Sequence, residues 1–127
     1  MSKLRVLQHC VAGAVGVILI LTVLEFPAPI GFEVRPQDNV SVWWLALFLS
    51  ILVSEISAIA LIYKCPNLGA RLGILAAILN ILQIIADQMH FMQPEIAPFG
   101  YLLLEDAVGV ASLFLGYCSW RILKQHE

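Results

Sequence analysis

The sequence predicts an all-α, integral membrane four-helix bundle with both termini cytoplasmic, and three observations carry that expectation. The first is composition. Of 127 residues, 61% are hydrophobic and 13% charged, with a mean hydropathy of +0.90, whereas soluble domains hold about 45–50% apolar and about 25% charged residues. The second is segmentation into four apolar stretches, each near the roughly 20 residues that cross a bilayer. The third is the placement of Lys and Arg. Together they exclude a water-soluble domain and a disordered chain. The net charge of −2 and three cysteines, which cannot all pair, exclude a nucleic-acid binder and a cysteine-stapled secreted fold.

The first segment, Leu7 to Phe26, holds the run Val11 to Leu24, in which Thr22 is the single hydroxyl, and ends at the breakers Pro27, Pro29 and Gly31. That run exceeds a signal-peptide core of about 7–15 residues and no A-x-A site follows, so it is read as a retained helix. Further helices are expected over Val42–Tyr63, Leu72–Met92 and Tyr101–Leu123, joined at Pro27–Ser41, Lys64–Arg71 and Gln93–Gly100. No stretch is long enough for a second domain, so residues 1–127 form a single transmembrane unit. An open sheet cannot span hydrocarbon and a barrel needs at least about eight strands, which leaves the helical bundle. Gly13-Ala14-Val15-Gly16 reads as a site of close helix packing.

Cytoplasmic loops retain Lys and Arg. Lys3, Arg5, Lys64, Arg71, Arg121 and Lys124 fall on one side of this topology and Arg35 alone on the other. The termini and the second joint are therefore expected inside. Trp43 and Trp44 then anchor the outer interface, and Tyr63, Tyr117 and Trp120 the inner one. The expected location is a bacterial-type inner (plasma) membrane, crossed several times.

Carboxylates within hydrocarbon are costly and each calls for an explanation. Glu55, Asp87, Glu105 and Asp106 are such groups. At about 1.5 Å per residue, Glu55 falls about 4–5 Å inside the midplane, Asp87 and Glu105 about 7–8 Å outside it, and His90 and Glu25 about 12–13 Å outside. On the third helix Asn80, Gln83, Asp87 and His90 share one face. On the fourth, Glu105, Gly109, Ser112 and Gly116 do so, and Ser50, Ser54 and Ser57 form a weaker stripe on the second beside Glu55. The three stripes are expected to face one another. Glu55, Asn80, Gln83, Asp87, His90 and Glu105 then form a ligand or proton pocket opening to the outer face. The bland alternative is a set of interhelical hydrogen bonds, but these average only about 0.6 kcal/mol in membrane bundles and do not account for so many acids.

Asp87-Gln88-Met89-His90 puts a carboxylate and an imidazole one turn apart, as in di-iron bundles, but the pattern occurs once and has no second histidine at its depth. No metal is assigned, with Asp87, His90, Glu105 and Glu25 the residues that would hold a single ion. His9 and His126 are expected to face water or headgroups. Cys10, Cys65 and Cys118 all lie at cytoplasmic helix ends, where thiols stay reduced. The residues name no cofactor.

The loop after the first helix, the run Val53-Ser54-Glu55-Ile56-Ser57-Ala58-Ile59-Ala60-Leu61, the short basic turn Pro66–Arg71 and the third-helix ending Ala86-Asp87-Gln88-Met89-His90 resemble the DoxX-like family of small four-helix membrane proteins. The resemblance matches Glu55 and implies a small subunit associated with redox or quinone-linked enzymes. Acids and amides beside an apolar cavity also suit a quinone head group. The favoured expectation is thus an accessory or ligand-binding subunit of a membrane redox or quinone-linked complex, its partners the lipid bilayer, a quinone or other small apolar ligand, and a homo-oligomer or larger membrane complex. One alternative is a proton-coupled small-solute transporter working as a dimer, titrating at Glu55 or Asp87. Another is an intramembrane enzyme that uses Asp87 and Glu105 as acid and base.

Overall fold

The computed structural model describes residues 2–25, 42–89 and 99–125, with side chains in the last stretch described from Leu102 onward. Four helices make up these residues: α1 (Lys3–Leu24), α2 (Val42–Leu61), α3 (Pro66–Gln88) and α4 (Phe99–Gln125). Each is long and apolar enough to cross a membrane. Four such spans are those of a multi-pass membrane protein.

Three helix starts lie earlier than the apolar runs suggest, that of α4 by two residues, and the larger shifts of α1 and α3 have a local cause. Helix α1 begins at Lys3, not Leu7, because Ser2 caps it: the Ser2 hydroxyl accepts a hydrogen bond from Arg5 N at 3.2 Å. Helix α3 begins at Pro66, six residues before Leu72. Proline lacks the amide hydrogen that the first turn leaves unused, so it starts this helix where its presence suggested a joint. The chain reverses between α2 and α3 within Ile62–Cys65, held by Cys65 N donating to Leu61 O at 2.7 Å and Lys64 N donating to the same carbonyl at 3.1 Å. Gly69 makes this reversal tight, since a Cβ there would stand 2.7 Å from Ile62 Cα.

The bundle closes in the order α1, α4, α3, α2, with extensive α1–α4, α4–α3 and α3–α2 interfaces and a slight α1–α2 seam. Among the described residues α2 and α4 do not touch, while α1 and α3 meet across the short diagonal. The core joins Val11, Ala14, Val15 and Ile18 of α1 to Leu115, Cys118 and Ile122 of α4, with Ile62, Ala70, Ala76 and Ala77 completing it. Gly73 sits directly against the Ser119 hydroxyl, and Gly116 faces Ala77, where an added Cβ would make a 3.4 Å contact. The small residues of α3 and α4 therefore bring these two helices together.

Gly13 and Gly16 do not serve that purpose. Among the described residues nothing lies within 4 Å of a Cβ built at either, and the helix packs through Ala14 and Val15 between them. The sequence motif is right in spacing and wrong in face.

Seen from outside, the bundle is inverted relative to a soluble protein. Ile20, Val53, Ile56, Val110 and Leu113 are exposed, while Gln8, Ser54, Glu55, Asn80, Asp87, Glu105, Ser112 and Ser119 are buried. Such extensive apolar surface over a polar interior suits a hydrocarbon solvent and not water. Interhelical contacts also gather six of the seven cations at one end: the N-terminus of α1, the α2–α3 turn and the C-terminus of α4. There Arg5 lies over the Tyr63 ring at 5.6 Å, Arg121 over Tyr117 at 5.7 Å and Lys124 over Trp120 at 5.8 Å. The seventh, Arg35, lies outside the described residues.

Candidate functional site: buried carboxyl and amide groups

Glu55 sits two turns from the C-terminal end of α2, on the side where Ile51, Ser54 and Ala58 are buried. Its side chain is fully buried. Asn80 of α3, also buried, donates from Nδ2 to Glu55 Oε1 at 2.7 Å, a polar side-chain bridge between these two helices. The second carboxyl oxygen, Oε2, is enclosed and has no hydrogen-bond partner among the described residues. One turn beyond Asn80 on the same face, Gln83 Nε2 is likewise enclosed and has none. Near the Glu55–Asn80 bond in sequence register, an acceptor and a donor are thus enclosed with no hydrogen-bond partner among the described residues. A buried group in that condition costs about 1–3 kcal/mol, so a native protein rarely keeps two without a reason.

Further along the bundle, Asp87 of α3 and Glu105 of α4 are both buried. Asp106 is exposed on the bundle surface, where its Oδ1 accepts from Gln88 Nε2 at 3.0 Å and ties α3 to α4. The α3 stripe is therefore real as far as Asp87. His90 lies outside the described residues. Among those residues no three His, Cys, Asp or Glu side chains come together as a metal site. Glu25, the last of the residues weighed for a metal, caps α1 and is half-buried.

The expectation that three stripes face one another needs correction. Because α2 and α4 do not touch, α3 mediates: its Asn80 reaches Glu55 on one side, while its Ala77 and Ile84 lie against Gly116 and Gly109 on the other. The serine stripe of α2 contributes little, since Ser50 donates back to Ala46 O and Ser54 to Ser50 O, each at 2.8 Å. Hydroxyls that close on their own helix are unavailable to a ligand. Ser112 and Ser119 of α4 behave differently, for both hydroxyls are buried without a partner among the described residues. Ser112 lies at an apolar groove of about 370 Å³ between α3 and α4.

Three features at the basic end were not foreseen. Gln8 is buried and donates from Nε2 to Ile62 O at 2.8 Å, joining α1 to the end of α2. His9, exposed as expected, is within 2.8 Å of the Tyr63 hydroxyl through Nδ1. Cys118 is buried in the core shared by α1 and α4, and Cys10 packs against that core. The sequence signal for all three is one run, Gln8-His9-Cys10, whose consecutive polar side chains point in different directions around a helix.

No family model, curated protein or solved structure matches the chain.

Proposed function

We propose that this chain is an accessory, ligand-binding subunit of a membrane redox or quinone-linked complex, and that Glu55, Asn80 and Gln83 hold the polar head of its ligand while Asp87 and Glu105 line the way to it. The observation that carries this reading is the pair of enclosed atoms without a partner among the described residues, Glu55 Oε2 on the carboxyl that Asn80 bonds and Gln83 Nε2 one turn along α3 from Asn80. A quinol head group suits both atoms, one hydroxyl donating to the Glu55 carboxylate and the other accepting from the Gln83 amide, whereas the quinone form can only accept. Its apolar tail needs no further polar partners. The similarity of the Glu55 region to the DoxX-like family points the same way. With the basic end taken as cytoplasmic, the site opens toward the outer half of the membrane.

A titration of the purified protein in detergent with decyl-ubiquinol, kept reduced, tests this. Saturable binding is expected, weakened at least about tenfold by Glu55→Gln, a loss of about 1.4 kcal/mol. Binding that is absent, or unchanged in the variant, would overturn the quinone assignment.

A further inference from the structure

We propose that the groove between α3 and α4 holds one acyl chain of an anionic phospholipid from the leaflet at the basic end, with Arg71, Arg121 and Lys124 around its head group. The groove has a volume of about 370 Å³, within the roughly 300–1,000 Å³ of ligand pockets. Small residues make its floor: Ala77 of α3 with Ser112 and Gly116 of α4, the first two of these α3 and α4 residues buried. Ile78, Leu82, Leu113 and Tyr117 make its rim, each more than half exposed. Large side chains standing beside small ones leave a channel on a face that meets hydrocarbon. Among the described residues its polar side-chain groups are the hydroxyls of Ser112 and Tyr117 alone. A charged group does not suit such a lining, whereas a hydrocarbon chain does.

Charge at the mouth selects the lipid. Ile74 and Tyr117 line the groove toward the basic end of the bundle, and Arg71 stands one turn before Ile74 on α3. On α4, Arg121 Nη1 donates to the Tyr117 hydroxyl at 2.7 Å, which holds the guanidinium at the groove's edge. The Tyr117 and Trp120 rings lie 6.3 Å apart, and Lys124 Nζ stands 5.8 Å over Trp120. Along the described helices, α3 carries no acid before Asp87 and α4 none after Asp106. The mouth is thus basic on both sides, with no carboxylate on either helix to neutralise it. A phosphate accepts charge-assisted hydrogen bonds from arginine, while the chain below it fills the groove. A second copy of the protein suits the face less well. Pairing through this groove in the same membrane would set its cations beside these, where like charges repel.

The test uses the full chain in liposomes, with Trp43→Phe and Trp44→Phe leaving Trp120 as its single tryptophan. Chain-brominated phosphatidylglycerol or chain-brominated phosphatidylcholine then replaces part of an unlabelled phosphatidylcholine bilayer. Bromine quenches a tryptophan that it approaches, so Trp120 fluorescence reports which lipid occupies the mouth. The expected result is a preference for phosphatidylglycerol of at least about fivefold, the scale set by one cation near an anionic surface. Arg71→Gln with Arg121→Gln is expected to bring the two lipids level. Lys3→Gln with Arg5→Gln removes as much charge from the same end, but on α1, and is expected to keep the preference. All four of these side chains are exposed, so neither pair disturbs the core. Glycerol phosphate, a head group without chains, is expected not to displace the lipid. Equal quenching by both lipids in the starting protein would overturn the proposal. So would an equal loss in the α1 pair, which assigns the preference to diffuse charge, or displacement by glycerol phosphate, which assigns it to the cations without the groove. A Trp120 that neither lipid quenches would overturn it as well and assign the face to a second copy.

Discussion

Asn80 and Glu55 carry the argument at the scale of single residues. Removing the amide in Asn80→Ala leaves both oxygens of a fully buried carboxyl without a protein partner, which costs about 1–3 kcal/mol. That exceeds the roughly 0.6 kcal/mol of an average interhelical bond in a membrane bundle. Glu55→Gln keeps an acceptor facing Asn80 and removes the ionisable group, so its stability is expected within about 1 kcal/mol of wild type. Unfolding in mixed detergent measures both. A Glu55→Gln protein as unstable as Asn80→Ala would assign the carboxyl a purely structural role. Glu55 was legible in the sequence because an acid in an apolar helix has few explanations. Its partner was legible as one polar stripe among three, but which stripe it met was not, since periodicity fixes the face of a helix and not its neighbour. Gln8 went unremarked for the converse reason: near a helix end a glutamine can reach water, and only the fold shows that it reaches Ile62 O instead.

Between helices, glycine positions separate packing from mere spacing. At Gly69 a Cβ would strike the backbone of Ile62, which has little freedom to yield, whereas at Gly13 it would meet nothing within 4 Å. Gly69→Ala is therefore expected to destabilise the bundle by about 1–3 kcal/mol, and Gly13→Ala to stabilise it by up to about 1 kcal/mol through helix propensity alone. Denaturation midpoints of the two variants check this, and equal effects would contradict the packing described. The helices themselves were readable from hydropathy, with ends that shifted where a single residue decided them. Ser2 lengthened α1 by its cap, and Pro66 opened α3 instead of interrupting it. A proline between two apolar runs is ambiguous in sequence because it suits both a turn and a first helical turn.

For the molecule as a whole, the number of spans and the inverted distribution of polarity followed from composition, and the order of helices did not. Neighbours in sequence are usually neighbours in space, yet the α1–α2 seam is slight and α1 leans chiefly on α4. The long joint between α1 and α2 removes the tether that holds α2 against α3 through only four residues. This arrangement leaves α3 as the helix that both other polar stripes must address, while the buried polar groups are shared among all four helices. It also sets the basic end, with its Arg and Lys over Tyr and Trp rings, apart from the end near Asp87 and Glu105.

The central claim is that this polar interior is a ligand site. Native mass spectrometry of the gently solubilised protein, with metal analysis of the same sample and of Glu55→Gln and Asp87→Asn, addresses it most directly. The account predicts a small organic molecule bound to the wild type and lost from Glu55→Gln, with all three proteins folded. An empty wild-type protein as stable as both variants would contradict it.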